Sequence, residues 1–391
     1  MQPERIKRVS QTPDLIPSIA CMLLMFQAYL VAPLSPTLAK EFSSALVPLA
    51  VPAFAIPFAV AAAGTVFLKP AADLRNWFLV SLATLCTGTW FLSMANSAGV
   101  FLFLRALTGF GTGIMLPTAL LLAIWPANKK RSADHMVLII FALATGMTFG
   151  PSLGGWLNGV IGWRCLYQLA GMLAGLLFFM YFLGDARDPH QVLPSLKGNV
   201  QASSISDRNS RYIYSFVFLT GVFHSGVFVW ITSYFTTHYK VDEFHISTDL
   251  FIFGLPGFLV SLLMYYYQLD RKVINILYFS LGLTVAGILV LMWNLPLWLA
   301  ESLLGVISVG FGCSQPLFIG IIKLPPRRIS LLRPVALGSG LLFAGYGCGP
   351  LFMTAFLSLN LGAAMFFLIV LVLALAFISR RVWKVSRRKI N

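Results

Sequence analysis

The chain has 391 residues, 58% of them hydrophobic and 10% charged, with a formal net charge of +15. A water-soluble fold of this size cannot bury so large an apolar fraction, so the composition points to a polytopic protein whose solvent is lipid. The basic balance does not indicate a nucleic-acid partner, because 24 of the 28 Lys and Arg fall in alternate connections between apolar runs.

Taken in chain order, twelve apolar runs are predicted to span a membrane as helices, which makes the fold class all-α. They lie near 14–36, 47–68, 76–95, 98–124, 134–158, 164–183, 212–237, 247–268, 272–293, 296–321, 334–358 and 360–379. The first run is too long for a secretory signal and a second span follows it, so no cleavable leader is expected. The N-terminus, the 2–3, 4–5, 8–9 and 10–11 connections, the central interval and the tail are all basic. The opposite connections hold only Lys40, Arg164 and Lys240. That bias predicts both termini on the cytoplasmic side. Short termini and minimal loops suit a bacterial inner-membrane protein.

Six spans, residues 1–183, precede the only long polar interval, 184–211, which reads as a flexible cytoplasmic linker. Six more spans and a basic tail fill 212–391. Arg105-Ala-Leu-Thr-Gly109 opens the fourth span much as Glu301-Ser-Leu-Leu-Gly305 opens the tenth. Gly109-Phe-Gly111 has a counterpart in Gly310-Phe-Gly312, and Gly150-Pro151 in Gly349-Pro350. Such an ordered set suggests an internal repeat, a mark of secondary transporters that bind substrate between their halves.

The fifth span carries GMTFGPSLGG, residues 146–155. Glycine and proline weaken a helix in water, but in lipid neighbouring helices re-satisfy the freed groups, and small residues allow close backbone approach. The stretch therefore presses a glycine face on another helix, either as inert packing or as a hinge. Its pattern, Gly146-x-x-x-Gly150-Pro151-x-x-Gly154-Gly155, resembles the antiporter signature of the major facilitator superfamily, in its twelve-span drug:proton antiporter branch. Arg105-Ala-Leu-Thr-Gly109-Phe-Gly111 is similar to the family's fourth-span motif, whose arginine is linked to proton coupling. Pro36-Thr-Leu-Ala-Lys-Glu41-Phe resembles the segment after its first span. Pro70-Ala-Ala-Asp73 stands where its 2–3 loop motif ends. Lys69 replaces that motif's first glycine, and Leu74-Arg75-Asn76-Trp77 departs from its continuation. The resemblance implies two pseudo-symmetric six-helix bundles working as a monomer, with Asp73 in the conformational loop.

Ionisable groups within spans are expensive and are functional candidates by default. The resemblance implies that spans 1, 4, 7 and 10 line a central cavity, so Arg105 and Glu301 are expected to face a shared space. They form either a structural pair or a protonation-sensitive one. His224, near mid-span, is a satisfied core residue or a proton carrier. Asp14 follows Thr12-Pro13 and reads as a helix start, with proton coupling as its alternative. Phe26 and Tyr29 on the first span, with Trp230 and Tyr234 on the seventh, are candidates to line the cavity. His238-Tyr-Lys-Val-Asp242-Glu243-Phe-His245 reads as a solvated 7–8 loop, and no metal site or cofactor is expected.

The chain contains no Gly-Lys pair and hence no P-loop, so an ion gradient must supply the energy. The scattered histidines offer no catalytic cluster, and no catalytic residue is assigned. The expected function is proton-coupled efflux of a small amphipathic molecule, a drug, metabolite or siderophore, by alternating access. A proton-coupled uptake symporter on the same fold is the alternative, with substrate, protons and lipid as the partners in either case.

Overall fold

A computed structural model describes residues 12–43, 46–67, 74–124, 129–184, 207–267, 273–321 and 332–388. The regular elements are thirteen α-helices with three short 3-10 or π turns, and no strand occurs among the described residues. In chain order they are α1 (Thr12–Tyr29), α2 (Val31–Phe42), α3 (Ala50–Gly64), α4 (Leu74–Leu92), α5 (Ala98–Thr112), α6 (Met115–Ile124) and α7 (Lys129–Leu183). Then follow α8 (Asp207–Tyr234), α9 (Glu243–Tyr267), α10 (Val273–Val290), α11 (Leu297–Ile321), α12 (Leu332–Leu357) and α13 (Leu361–Arg388).

Each of the twelve predicted runs overlaps one or more of these helices. Among the described residues, eight helical stretches are long and apolar enough to cross a membrane, or nine with α1 and α2 taken as one bent span. One of them, His135–Leu183, is 49 residues long. At ~1.5 Å per residue it is more than twice the length needed for one ~30 Å hydrocarbon layer. It breaks at Gly162, whose φ of 77° and ψ of 152° suit glycine alone, so the predicted fifth and sixth spans are its two limbs. The bend of 41° between α1 and α2 also has a local cause. Pro33 has no N–H for the Tyr29 carbonyl and its ring crowds that turn, so the helix breaks just after Tyr29.

The packing repeats when the first six spans are exchanged for the last six. α1 packs on the first limb of α7, and α8 packs on α12. α3 packs on α5, and α9 on α11; α4 touches α5, as α10 touches α11. Between the halves, α3 packs on α12 and α7 on α9, which again are equivalent pairs. The glycines show the same exchange at atomic scale. Gly146 faces the Met22 carbonyl, and Gly345 faces that of Phe218. Gly150 faces Phe26, and Gly349 faces Val222. Lipid-facing rows such as Phe366, Val370, Leu373 and Phe377 on α13 stay exposed, which fits a helix whose outer surface meets hydrocarbon.

One sequence match does not survive. Gly109 faces Phe54 of α3 and Gly111 faces Thr84 of α4, whereas Gly310 faces Ser280 and Thr284 of α10 and Gly312 faces Gly257 of α9. The two Gly-Phe-Gly triplets therefore present their glycines to neighbours in opposite order, and they are not equivalent positions. Gly111 instead corresponds to Gly310, each facing the third span of its own half, and Gly113, which faces Phe58 and Ala61 of α3, corresponds to Gly312. The proposed linker 184–211 lies largely outside the described residues.

Candidate functional site

Three polar centres lie where the halves or their helices meet, and the first is Arg105. Its side chain is fully buried. Nε donates to the Ala50 carbonyl at 3.1 Å, and Nη2 to the Ala28 carbonyl at 3.0 Å. Nη1 lies 3.1 Å from the backbone oxygen of Gln27 and 3.2 Å from its side-chain oxygen. The guanidinium also sits 4.9 Å from the centre of the Phe54 ring. Because α1 stops at Tyr29, its last carbonyls need donors from elsewhere, and a cation at a helix C-terminus is favoured by the backbone dipole. Arg105 thus ties α5 to α1 and α3.

Glu301 is not its partner, which corrects the expectation that these two charges share one space. The Glu301 carboxylate lies 2.7 Å from His245 Nε2, with Asp249 beside them. Each of the two charges meets the second span of its own half, Arg105 at Ala50 of α3 and Glu301 at His245 of α9. His245 is therefore on the first turns of α9, not in a solvated loop. Asp242 caps those turns, accepting from the His245 backbone N–H at 2.9 Å.

The second centre is His224. Its Nε2 is buried without a hydrogen-bond partner. Five aromatic rings surround the imidazole, with centroids 5.2 Å (Phe228), 5.8 Å (Tyr29), 6.0 Å (Phe311), 6.1 Å (Tyr346) and 6.4 Å (Phe253) away. Tyr29 comes from the first half and the others from the second, so this ring box lies at the junction of the halves. Tyr346 also reaches Met147 of α7, its hydroxyl 3.7 Å from the sulfur. Of the predicted cavity aromatics, Tyr29 is in the box. The Phe26 backbone abuts Gly150. Trp230 and Tyr234 are elsewhere: they stack on each other at 5.2 Å, and the Tyr234 hydroxyl donates to the Leu291 carbonyl at 3.0 Å. They lie six and ten residues beyond His224, on another face of α8.

The third centre closes the end of the bundle where α2, the Gly162 break and the start of α9 come together. Thr37 of α2 donates to the Glu243 carboxylate of α9. Asn158 of α7 lies 3.2 Å from both the Glu243 carboxylate and the Thr37 hydroxyl. Trp156 Nε1 donates to Thr248 at 3.1 Å. Beside this latch, Arg164 and Trp163 both bind the Glu41 carboxylate, and Arg164 also donates to the Ala95 carbonyl at 2.9 Å.

The glycine stretch serves two of these contacts. A Cβ on Gly150 would stand 2.7 Å from the Phe26 carbonyl, and one on Gly154 would stand 2.9 Å from Leu30. With Gly146 they form a stripe on which α1 rests. Gly155 points the other way, against Ser247 of α9 in the opposite half, 2.8 Å from its Cβ. Pro151 is buried behind the stripe. Asp73 lies outside the described residues, as does the side chain of Asp14.

Asp249, Glu243 and the ring partners Phe253, Phe311 and Tyr346 were not singled out from sequence. The signal for His245 and Asp249 was their spacing of four, legible once α9 is begun at Glu243 rather than four residues later.

Comparison with known proteins agrees with this architecture. The sequence model of the Major Facilitator Superfamily matches residues 18–330. The "Probable sugar efflux transporter" of Pasteurella multocida (strain Pm70) is 27% identical over 253 residues, covering 60% of this chain and 57% of that protein. The "Multidrug resistance protein B homolog" of Mycobacterium tuberculosis is 29% identical over 102 residues, 26% of this chain and 19% of the relative. The chain thus spans little more than half the length of the first and about a fifth of the second. Among solved structures, the human organic anion transporter MFSD10 (TETRAN) superposes with a TM-score of 0.72 at 16% identity, over 95% of this chain and 100% of that one. An inward-facing, unoccupied bacterial homolog of the human lysosomal transporter Spinster gives 0.68 at 14%, over 96% of each chain. With its family match, helical repeat and inter-half contacts, the chain belongs to the Major Facilitator Superfamily of transporters.

Proposed function

We propose that this chain exports a small amphipathic molecule with a planar or aromatic part, in exchange for protons, by alternating access between its halves. The observation that carries this reading is the ring box around His224, built from both halves. Rings offer a planar ligand stacking at little entropic cost, and the unpartnered imidazole nitrogen offers it one directed hydrogen bond. Opening of the box on one side gives that nitrogen a route to water, and so to a proton. The charge distribution of the connections supports placing both termini in the cytoplasm, with the Glu243 latch on the outer face. The export direction draws on the glycine signature and on the names of the efflux and multidrug-resistance relatives.

The test uses inside-out membrane vesicles energised to an acidic lumen and read with a pH-sensitive dye. Adding a transported aromatic amphiphile from a compound panel should release lumenal protons through the wild-type chain. His224→Gln at matched membrane levels should abolish the release. Accumulation of the same compound from the medium by intact cells, driven by the proton gradient, would make the chain an importer instead.

A further inference from the structure

Between α9 and α11, two carboxylates and an imidazole converge. His245 and Asp249 are four residues apart on α9 and therefore share a face, opposite Glu301 of α11. One ligand atom from each of the three lies within 4.8 Å of the others. Proximity alone would make this an acidic cluster with a histidine. The second observation is the state of Asp249. It is fully buried, and neither of its carboxylate oxygens has a hydrogen-bond partner. A buried carboxylate left without donors is costly, and it is relieved by a proton, a water or a bound cation. The equivalent region of the first half shows the contrast: Arg105 is just as buried, and each of its nitrogens is used.

We propose that His245, Asp249 and Glu301 bind one divalent transition-metal ion of the Mn2+ or Zn2+ type. Imidazole with carboxylates is the donor set of first-row metals, and three protein ligands leave room for water or a further ligand. Ca2+ takes about six to eight oxygens, and Mg2+ holds most of its own water, so neither matches this set. His245 and Glu301 are partly exposed, which supplies an entry path to the buried Asp249. Metal–donor distances of roughly 2.0–2.2 Å need the three donor atoms somewhat closer together, a change that side-chain rotation supplies. The ion would join α9 to α11 two residues from Glu243, and so stiffen the foot of the latch that holds Thr37 and Asn158. This site stands independently of which molecule is transported and in which direction.

The experiment is a Mn2+ titration of the purified, chelator-stripped full chain in nanodiscs, followed by the loss of the free-ion signal in electron paramagnetic resonance. The expected result is one tight equivalent per chain, weakened by at least about tenfold in Asp249→Asn and in Glu301→Gln. His238→Gln, an exposed histidine on the same side of the molecule, should bind as wild type does. Pulsed measurements on the bound ion should show coupling to one imidazole nitrogen, absent in His245→Gln. Wild-type affinity no greater than that of the variants would overturn the proposal, as would bound Mn2+ without nitrogen coupling. Should Asp249→Asn not yield monodisperse protein, the wild-type stoichiometry and nitrogen coupling decide alone.

Discussion

At the scale of single residues, Arg105 acts by geometry as much as by charge. Its three nitrogens reach three backbone carbonyls in two segments, Gln27 and Ala28 of α1 and Ala50 of α3, from one rigid planar group. A lysine keeps the charge but offers donors from one point on a flexible stem, which cannot serve separated carbonyls. Arg105→Lys is therefore expected to lower the melting temperature of the purified protein by several degrees and to abolish transport. Wild-type melting in that variant would show that the positive charge alone is what the site uses. The depth of Arg105 and Glu301 in their spans was readable from sequence, but their partners were not. Partner choice depends on where α1 breaks and where α9 begins. The first break follows from Pro33, while the start of α9 was masked by a polar stretch that reads equally well as a loop. His224 was found because a histidine in mid-span is rare in itself. Its rings come from five different positions on five helices, and no local pattern joins them.

At the scale of elements, the first limb of α7 shows how a sequence of weak helix formers becomes a tight joint. Gly146, Gly150 and Gly154 recur every four residues, so they line one face, and α1 approaches until backbone meets backbone. Even a methyl group at Gly150 must displace the Phe26 carbonyl, which belongs to a helix held in turn by Arg105. Gly150→Ala is expected to cost about 1–3 kcal/mol of stability, as overpacked sites do. Gly159, on the same limb with nothing within 4 Å of its missing Cβ, is the control, and Gly159→Ala should be neutral or slightly stabilising. Thermal melting of the two variants side by side checks this, and equal losses would remove the contact as the reason for the stripe. This element was largely legible, because the spacing of small residues is a local property. The Gly-Phe-Gly repeat misled because a residue's face on a helix depends on register, which short identical triplets do not specify. Trp230 and Tyr234 misled for a related reason: the seventh span was known to be a helix, but its rotation about its own axis is set by tertiary contacts, chiefly with α12 and α13.

At the scale of the whole molecule, the halves touch through two repeat-related seams, α7 with α9 and α3 with α12. Thr148 meets Gly254 in the first seam, and Gly347 meets Ile56 and Ala55 in the second. Phe58 and Phe343 stack across the second seam at 3.6 Å. Substrate in a ring box at this junction can reach either side only if the seams part, since close-packed interfaces separate as units rather than deform. The seams therefore make a paired prediction. A Cβ on Gly254 stands 3.4 Å from that of Thr148, and one on Gly347 stands 3.5 Å from that of Ala55. Both separations are near the ~3.5–4.5 Å that a disulfide requires. In a background with Cys21, Cys86, Cys165, Cys313 and Cys348 replaced, Thr148→Cys with Gly254→Cys should cross-link on oxidation, and so should Ala55→Cys with Gly347→Cys. Each cross-link should stop transport in vesicles, and reduction should restore it. If one pair stops transport and the other does not, only one seam moves and the halves do not rock symmetrically. If both cross-linked proteins still transport, the path runs outside the junction, and the ring box around His224 is not where substrate passes.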